Sequence, residues 1–259
     1  VSYGHEPDLV FVSARLPTRL MSLAPFQDSI TGTRPGRVDQ NGEVLVDHFP
    51  LLGLRLTTPR LELRLPSPEE LAALAESAAE GVHDPEVMPF LVPWTDRPPA
   101  EVARSVIQNH WLQLGAWEPE KWSLQLAVFH AGAAVGLQRI SARDLRITRE
   151  VNTGSWLGRR HQGQGIGTEM RAAVLHLAFA GLDAEEATSA ALADNHASYA
   201  VSRKLGYRPD GFERRVVRGT MAVDARLRLS RADWDRHRTT PVTIEDLEPC
   251  LPMLGLPAS

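Results

Sequence analysis

The stretch Arg160-His161-Gln162-Gly163-Gln164-Gly165-Ile166-Gly167-Thr168-Glu169-Met170 governs the reading of the whole chain. It follows a strand-like run, Val151 to Gly158, and precedes Met170, Ala173, Val174, Leu177 and Ala178, apolar positions at helical spacing. Glycines without a Cβ let main chain approach a diphosphate, and the loop amides with the helix N-terminus supply partial positive charge there. The segment therefore reads as an anion cradle between a strand and a helix.

Residues at fixed offsets separate the kinds of phosphate loop. A P-loop needs Gly-Lys-Ser/Thr after its spacer, whereas Gly167 is followed by Thr168 and Glu169. A dinucleotide fold wants Gly-x-Gly-x-x-Gly early in a parallel βαβ unit; Gly163 and Gly165 fit, but position 168 is Thr and antiparallel strands precede the loop. Glu185 lies about 20 residues on, as that fingerprint asks. Downstream stand Asn195-His196-Ala197-Ser198, then Ser202, then Lys204-Leu205-Gly206-Tyr207. Asn195 suits a helix cap and Gly206 a helix end.

The loop and this second motif, in this order, resemble the GNAT family of acyltransferases, whose acyl-CoA loop has the form Gln/Arg-x-x-Gly-x-Gly/Ala; Arg160, Gly163 and Gly165 match it. The resemblance covers about residues 54–238. Within the family it is nearest the RimJ/RimL-like branch. The stretches Gly81-Val-His-Asp-Pro-Glu-Val-Met-Pro-Phe and Gly154-Ser-Trp-Leu-Gly resemble a group of actinobacterial members, one of which takes succinyl-CoA. The resemblance implies an α+β fold: a mixed, mainly antiparallel central sheet, flanked by helices, whose fourth and fifth strands splay apart to admit pantetheine. It implies an N-acyltransferase that uses acetyl-CoA or succinyl-CoA as co-substrate, with no further cofactor and no metal, and a primary amine on a small molecule or a protein N-terminus as acceptor.

Carried over by residue, the resemblance places His161, Gln162, Gly163, Gln164 and Gly165, with Arg160, Gly167 and Thr168, around the pyrophosphate. Trp156, Leu157 and Gly158 would hydrogen-bond pantetheine, with Asn195 and Ser198 near the same arm. Ser202 stands where many relatives have tyrosine, so its hydroxyl either protonates the departing thiolate or solvates the sulfur. RimL-like relatives often carry Glu two residues before the glycine of the fourth strand; the matching residue is Asn152, which is no base. Glu150 is the first candidate to replace it, with Asp144, His83, His110 or a water as others. Arg139 and Arg143 would matter for an acyl group bearing a carboxylate.

Each assignment has a plainer counterpart. Asn195 can be a helix cap alone, Ser198 and Ser202 lie one helical turn apart and can both face water, and His83 and His110 can be surface or core histidines. Trp94 and Trp111 can be core rather than substrate walls. A non-catalytic acyl-CoA-binding module is the alternative to an enzyme, and a nicotinamide oxidoreductase the more distant rival.

Working outward, Leu61, Leu63 and Leu65 alternate with Glu62 and Arg64 as a half-buried strand, and Ser67, Pro68 and Glu70 form a capping box before Leu71, Leu74 and Ala78. An irregular stretch from Gly81 to Pro99 precedes a helix at about 100–114. Strands from Trp122 to His130 and Ala133 to Arg143 turn near Ala131-Gly132. Ala187 to Ala193 reads as a strand, and Val216 to Val223 with Ala225 to Leu229 as a hairpin turning near Asp224. Prolines at 7, 17, 25, 35 and 50 make residues 1–50 an N-terminal extension, and residues 239–259 read as a C-terminal tail.

The bulk numbers agree. Among 259 residues, 28 basic ones against 32 acidic give a net charge of -4, so nothing drives nonspecific binding of nucleic acid. Cys250 alone can form no internal disulfide and no cysteine-rich zinc site, which fits a cytoplasmic setting. No apolar run is long enough to span a membrane, and no signal pattern opens the chain. The numbers leave room for a homo-oligomer.

Overall fold

The computed structural model describes residues 44–258. Most of the expected N-terminal extension thus lies outside the described residues. Nine strands form one sheet, in the order β7-β8-β6-β5-β4-β3-β2-β1-β9. They are β1 (Arg55–Thr57), β2 (Leu61–Arg64), β3 (Lys121–His130), β4 (Ala133–Arg143), β5 (Glu150–Leu157), β6 (Glu186–Leu192), β7 (Arg208–Val217), β8 (Thr220–Ser230) and β9 (Thr243–Glu245). Every pairing is antiparallel except β5 with β6. The helices used below are α1 (Pro68–Ala79), α2 (Pro99–Gly115), α3 (Ile166–His176), α4 (His196–Lys204) and α5 (Arg231–His237).

Period-two alternation gives the sheet two apolar faces. Leu124, Leu126 and Val128 of β3 join Val151, Ala187, Leu227 and Leu229 in a core with Ile166, Met170, Val174 and Phe179 from α3 and the turn after it. Ala127, Phe129 and Leu137 face the other way, against Leu71, Leu74 and Ala78 of α1 and Val102 and Val106 of α2. The capping box of α1 is closed: the Glu70 amide donates to Ser67 Oγ (3.3 Å) and the Ser67 amide to Glu70 Oε2 (2.8 Å). Arg64 pairs with both Glu70 oxygens (2.7 and 2.6 Å), tying α1 to β2.

Two expectations are corrected. The terminal hairpin is longer than its hydrophobic pattern suggested, and it turns at Arg218-Gly219, where both φ values are positive (49° and 75°) as a two-residue hairpin loop requires. Asp224 is therefore mid-strand, opposite Leu192 and Glu213. Residues 239–259 are not a tail detached from the fold. β9 extends the sheet beside β1, and Cys250 and Leu254 are fully buried in the larger core. Trp117 and Trp122, stacked at 5.9 Å, donate their indole N–H groups to the Met253 and Leu254 carbonyls (2.8 and 3.2 Å). Prolines at 241, 249 and 252 hid this segment, because they remove the amides by which regular structure is recognised while leaving side-chain burial intact.

Candidate active site

The site begins where β5 and β6 part. Their parallel ladder covers only Glu150/Glu186, Val151/Ala187 and Asn152/Thr188. Beyond it β5 stays paired with β4 as far as Leu157, and β6 with β8 as far as Leu192. Each strand keeps its outer neighbour and loses its inner one, so a fork opens toward their C-terminal ends. Side chains close its apex: Thr153 Oγ1 donates to the Thr188 carbonyl (3.3 Å), and Ser189 Oγ to the Thr153 carbonyl (3.2 Å). Along residues 154–157 the edge of β5 facing the gap offers main-chain groups to an extended, amide-bearing ligand.

The glycine loop lies at the mouth of this fork. Gly163 and Gly165 have φ of 74° and 80°, the left-handed conformation that only glycine adopts freely, and Gly165 is the N-cap of α3. Among the described residues the Gly163, Gln164 and Gly165 amides donate to no backbone carbonyl. Side chains fix the loop from outside. Gln162 Nε2 donates to the Leu157 and Val82 carbonyls (2.8 and 2.7 Å), and Gln164 Nε2 to the Arg160 carbonyl (2.9 Å). Arg60 reaches the Gln164 carbonyl (3.1 Å) and binds Glu169, which also accepts from Thr58 Oγ1 (2.7 Å). Burial opposes the charge of Glu169, but these bonds outweigh it and hold its pKa below the usual value.

The other residues expected at the site make contacts of their own. Arg160 pairs with Glu80 (2.8 Å) and donates to His161 Nε2 (3.0 Å), while burial and the Arg160 charge lower the His161 pKa. Gly167 packs near Val201 of α4. The Thr168 amide donates to the Gly165 carbonyl (3.1 Å). At Gly158 a Cβ would lie 2.8 Å from Ser77 Oγ, so a side chain there is excluded by contact. Leu157 is buried; Trp156 packs with Trp94, which packs with Phe90 (6.1 and 5.3 Å between rings). Asn195 Oδ1 accepts from the Ser198 amide (3.1 Å) as the cap of α4.

Ser202, one turn further along α4, is 1% exposed. Its Oγ accepts from Arg171 Nη1 (2.8 Å), and Arg171 Nη2 donates to Ser155 Oγ (3.3 Å) on the free part of β5. Tyr207 OH and Thr153 Oγ1 lie 3.0 Å apart in the same buried polar seam. Arg171 was missed from the sequence, although a signal existed: it falls three and seven residues before Val174 and Ala178, on the buried stripe of α3.

Glu150 is not brought to this cluster. It starts β5 on the paired side of the fork, five residues or about 17 Å of strand from Ser155, and its carboxylate binds Arg228 (2.7 Å), which Glu186 also binds. Asp144 sits in the left-handed turn between β4 and β5. His83 contacts Thr95 Oγ1 (2.6 Å) and the Asp84 carbonyl (2.7 Å). His110 is buried on α2 and its pKa is lowered by burial. Asn152 accepts from Arg139 (2.6 Å) and donates to Thr188 Oγ1 (3.2 Å). Asp224 is the carboxyl beside the open end of the fork, opposite Leu192. It is 4% exposed, its Oδ1 has no hydrogen-bond partner, and burial raises its pKa. Misplacing the hairpin turn concealed it.

A split sheet with a glycine loop and helix N-terminus at its mouth, and a buried hydroxyl along its wall, presents the donors that an anionic, amide-bearing chain would need. Comparison with known proteins gives the class its name. Residues 60–208 match the family model described as Acetyltransferase (GNAT) domain, and the chain belongs to that family, which uses acetyl-CoA as co-substrate. Several solved structures share the fold. RimJ of Mycobacterium smegmatis in complex with CoA-disulfide is 19% identical (68% of this chain, 85% of that one, TM-score 0.54). The RimL ribosomal L7/L12 alpha-N-protein acetyltransferase is 20% identical (67% and 91%, TM-score 0.52). A GCN5-related N-acetyltransferase from Brucella melitensis is 18% identical (71% and 81%, TM-score 0.57). Among the described residues no helix is long and apolar enough to cross a membrane.

Proposed function

We propose that this chain transfers an acyl group from acetyl-CoA or succinyl-CoA to a primary amine by direct attack, in the cytoplasm, with residues 54–238 as the catalytic domain. The fork between β5 and β6, with the glycine loop at its mouth, is the observation that carries the reading. In it, loop amides from His161 to Gly165 with Gly167 and Thr168 hold the pyrophosphate, and the free edge of β5 at Trp156 to Gly158 receives the pantetheine amides.

The amine nitrogen attacks the thioester carbonyl carbon, the C–S bond breaks with its electron pair on sulfur, and Ser202 faces that sulfur. The proton lost by nitrogen must be accepted nearby. Asp224 fits this role better than Glu150, since its buried carboxyl keeps Oδ1 without a hydrogen bond and has Arg215 no nearer than 4.0 Å, leaving it able to attract an ammonium group and take its proton, whereas Arg228 engages Glu150 at 2.7 Å. With Asp224 in the role, Asn152 in the position of the relatives' glutamate is compatible with turnover. The RimL relative is described as acting on a protein α-amine, which makes protein N-termini the first acceptor class to test, ahead of small amines.

Calorimetry with acetyl-CoA and succinyl-CoA, followed by thiol release with N-terminal peptides and small amines, tests the proposal. Binding of one donor with release that depends on an amine supports it. Binding without release for any amine supports the non-catalytic acyl-CoA-binding module instead, and absence of binding to folded protein removes both.

A further inference from the structure

Arg171 is the least expected residue in the core. It is 5% exposed, its Nε has no hydrogen-bond partner, and its two terminal nitrogens serve hydroxyls, Ser202 Oγ at 2.8 Å and Ser155 Oγ at 3.3 Å. No carboxylate among the described residues forms an ion pair with it, and Tyr207, whose ionised form would favour its charge, has its own pKa raised by burial. A guanidinium buried without an anion is strongly unfavourable, and leucine or methionine would fill the stripe made by Val174 and Ala178 without that penalty. Packing therefore does not explain the cation, and a structural ion pair does not either.

The two hydroxyls say where its charge is directed. Ser155 belongs to the free part of β5 and Ser202 to α4, so one guanidinium joins two walls of the site beyond the fork. A serine oxygen that accepts from Arg171 keeps one O–H, and that proton must turn away from the cation. We propose that Arg171 is a positioning residue for thiol departure: it orients the Ser202 O–H toward the leaving sulfur and backs it with a fixed positive charge. The inference rests on the acyl transfer proposed above and adds the device that makes a weakly acidic serine adequate.

In this step the amine nitrogen forms its bond to the carbonyl carbon and the C–S bond breaks, leaving the electron pair on sulfur. The Ser202 O–H donates a hydrogen bond to that sulfur without giving up its proton. The proton shed by nitrogen passes to Asp224 and finally to sulfur through solvent, so amine and thioester become amide and thiol. Charge-assisted donors in a site shielded from water are worth far more than the same groups in water. Burial lowers the Arg171 pKa from the usual guanidinium value, so this support is present where the guanidinium is protonated.

The test separates leaving-group chemistry from packing. Arg171→Met and Arg171→Lys are compared with wild type using an acyl-CoA and its selenium analogue, which binds through the same groups but carries a better leaving group. We expect Arg171→Met to lose about 100-fold in kcat with the thioester and roughly tenfold less than that with the selenoester. Arg171→Lys should lie between, with CoA affinity within about threefold of wild type throughout, as expected of an interaction strengthened in the transition state. Equal losses with both esters, or an unchanged kcat, would overturn the inference. If Arg171→Met does not fold by circular dichroism, the same ratio is read on Arg171→Lys and Ser155→Ala and decides in the same way. A wild-type protein that releases no thiol with any amine takes the function and this inference down together; wild-type turnover with an indifferent Arg171 removes this inference alone.

Discussion

Replacing Gly165 with alanine tests whether the loop is held in the conformation that aims its amides. At φ of 80° an L-residue costs about 1–2 kcal/mol. Sterics add little, because the nearest atom to a new Cβ is Arg60 Nη2 at 3.4 Å, an ordinary van der Waals distance. The penalty can surface in two ways. A loop that keeps its geometry lowers the stability of the free protein and leaves CoA affinity alone. A loop that relaxes to negative φ spares stability, turns the amides away, and the ligand must restore them, raising Kd by about 5- to 30-fold for the same 1–2 kcal/mol. The loss in unfolding free energy and the loss in binding free energy must therefore sum to about 1–2 kcal/mol however they divide. Urea unfolding and calorimetry with CoA measure the two parts. Gly165→Asn should lose less, since asparagine tolerates left-handed backbone. A sum near zero, or asparagine behaving worse than alanine, would refute the reasoning.

Three further outcomes follow from Asp224, Leu254 and Glu70. Asp224→Asn should lower kcat by about 100-fold or more with CoA affinity unchanged. It should also raise stability at neutral pH: burial raises the Asp224 pKa, so the folded state holds its proton more tightly and stability declines as pH climbs through that value, a penalty asparagine does not suffer. Loss of stability at pH 7 would contradict this. Leu254→Ala, at a fully buried position, should cost about 2–5 kcal/mol in urea unfolding; a cost under about 0.5 kcal/mol, the size of a surface change, would mean the C-terminal segment is not part of the core. Hydrogen bonding to Arg64 lowers the Glu70 pKa from 4.5 to about 2, so its contribution is complete above pH 4.5 and fades as pH falls toward 2. After discounting for its partial exposure, Glu70→Gln should cost roughly 1 kcal/mol at pH 7 and flatten the acid limb between those values.

The parts of this protein legible in its sequence are those in which local chemistry and tertiary role coincide. Leu61, Leu63 and Leu65 alternate because one face of β2 is buried, and Ser67 with Glu70 announces α1 because the capping box is a contact among near neighbours. Gly163 and Gly165 are visible for the same reason: positive φ is a property of single residues, and so is the freedom to adopt it. Ser202 was singled out through a motif of fixed spacing on one helix, the same helix α4 that forms in the structure. What was hidden depends on residues brought together from far apart. The family resemblance implied a splayed strand pair, but the point at which the ladder stops, after Asn152, shows in neither strand's own pattern, since each keeps its outer partner. Glu150 looked suitable as a base because it precedes Asn152, but Arg228, 78 residues away, claims its carboxylate. Asp224 was read as a turn residue because aspartate favours turns, and its place on β8 is set by the pairing with Leu192 across the sheet. Arg171 is the instructive case. Its helical phase put a charge on the core side of α3, a contradiction between local pattern and burial, and such contradictions persist where a protein needs them for chemistry.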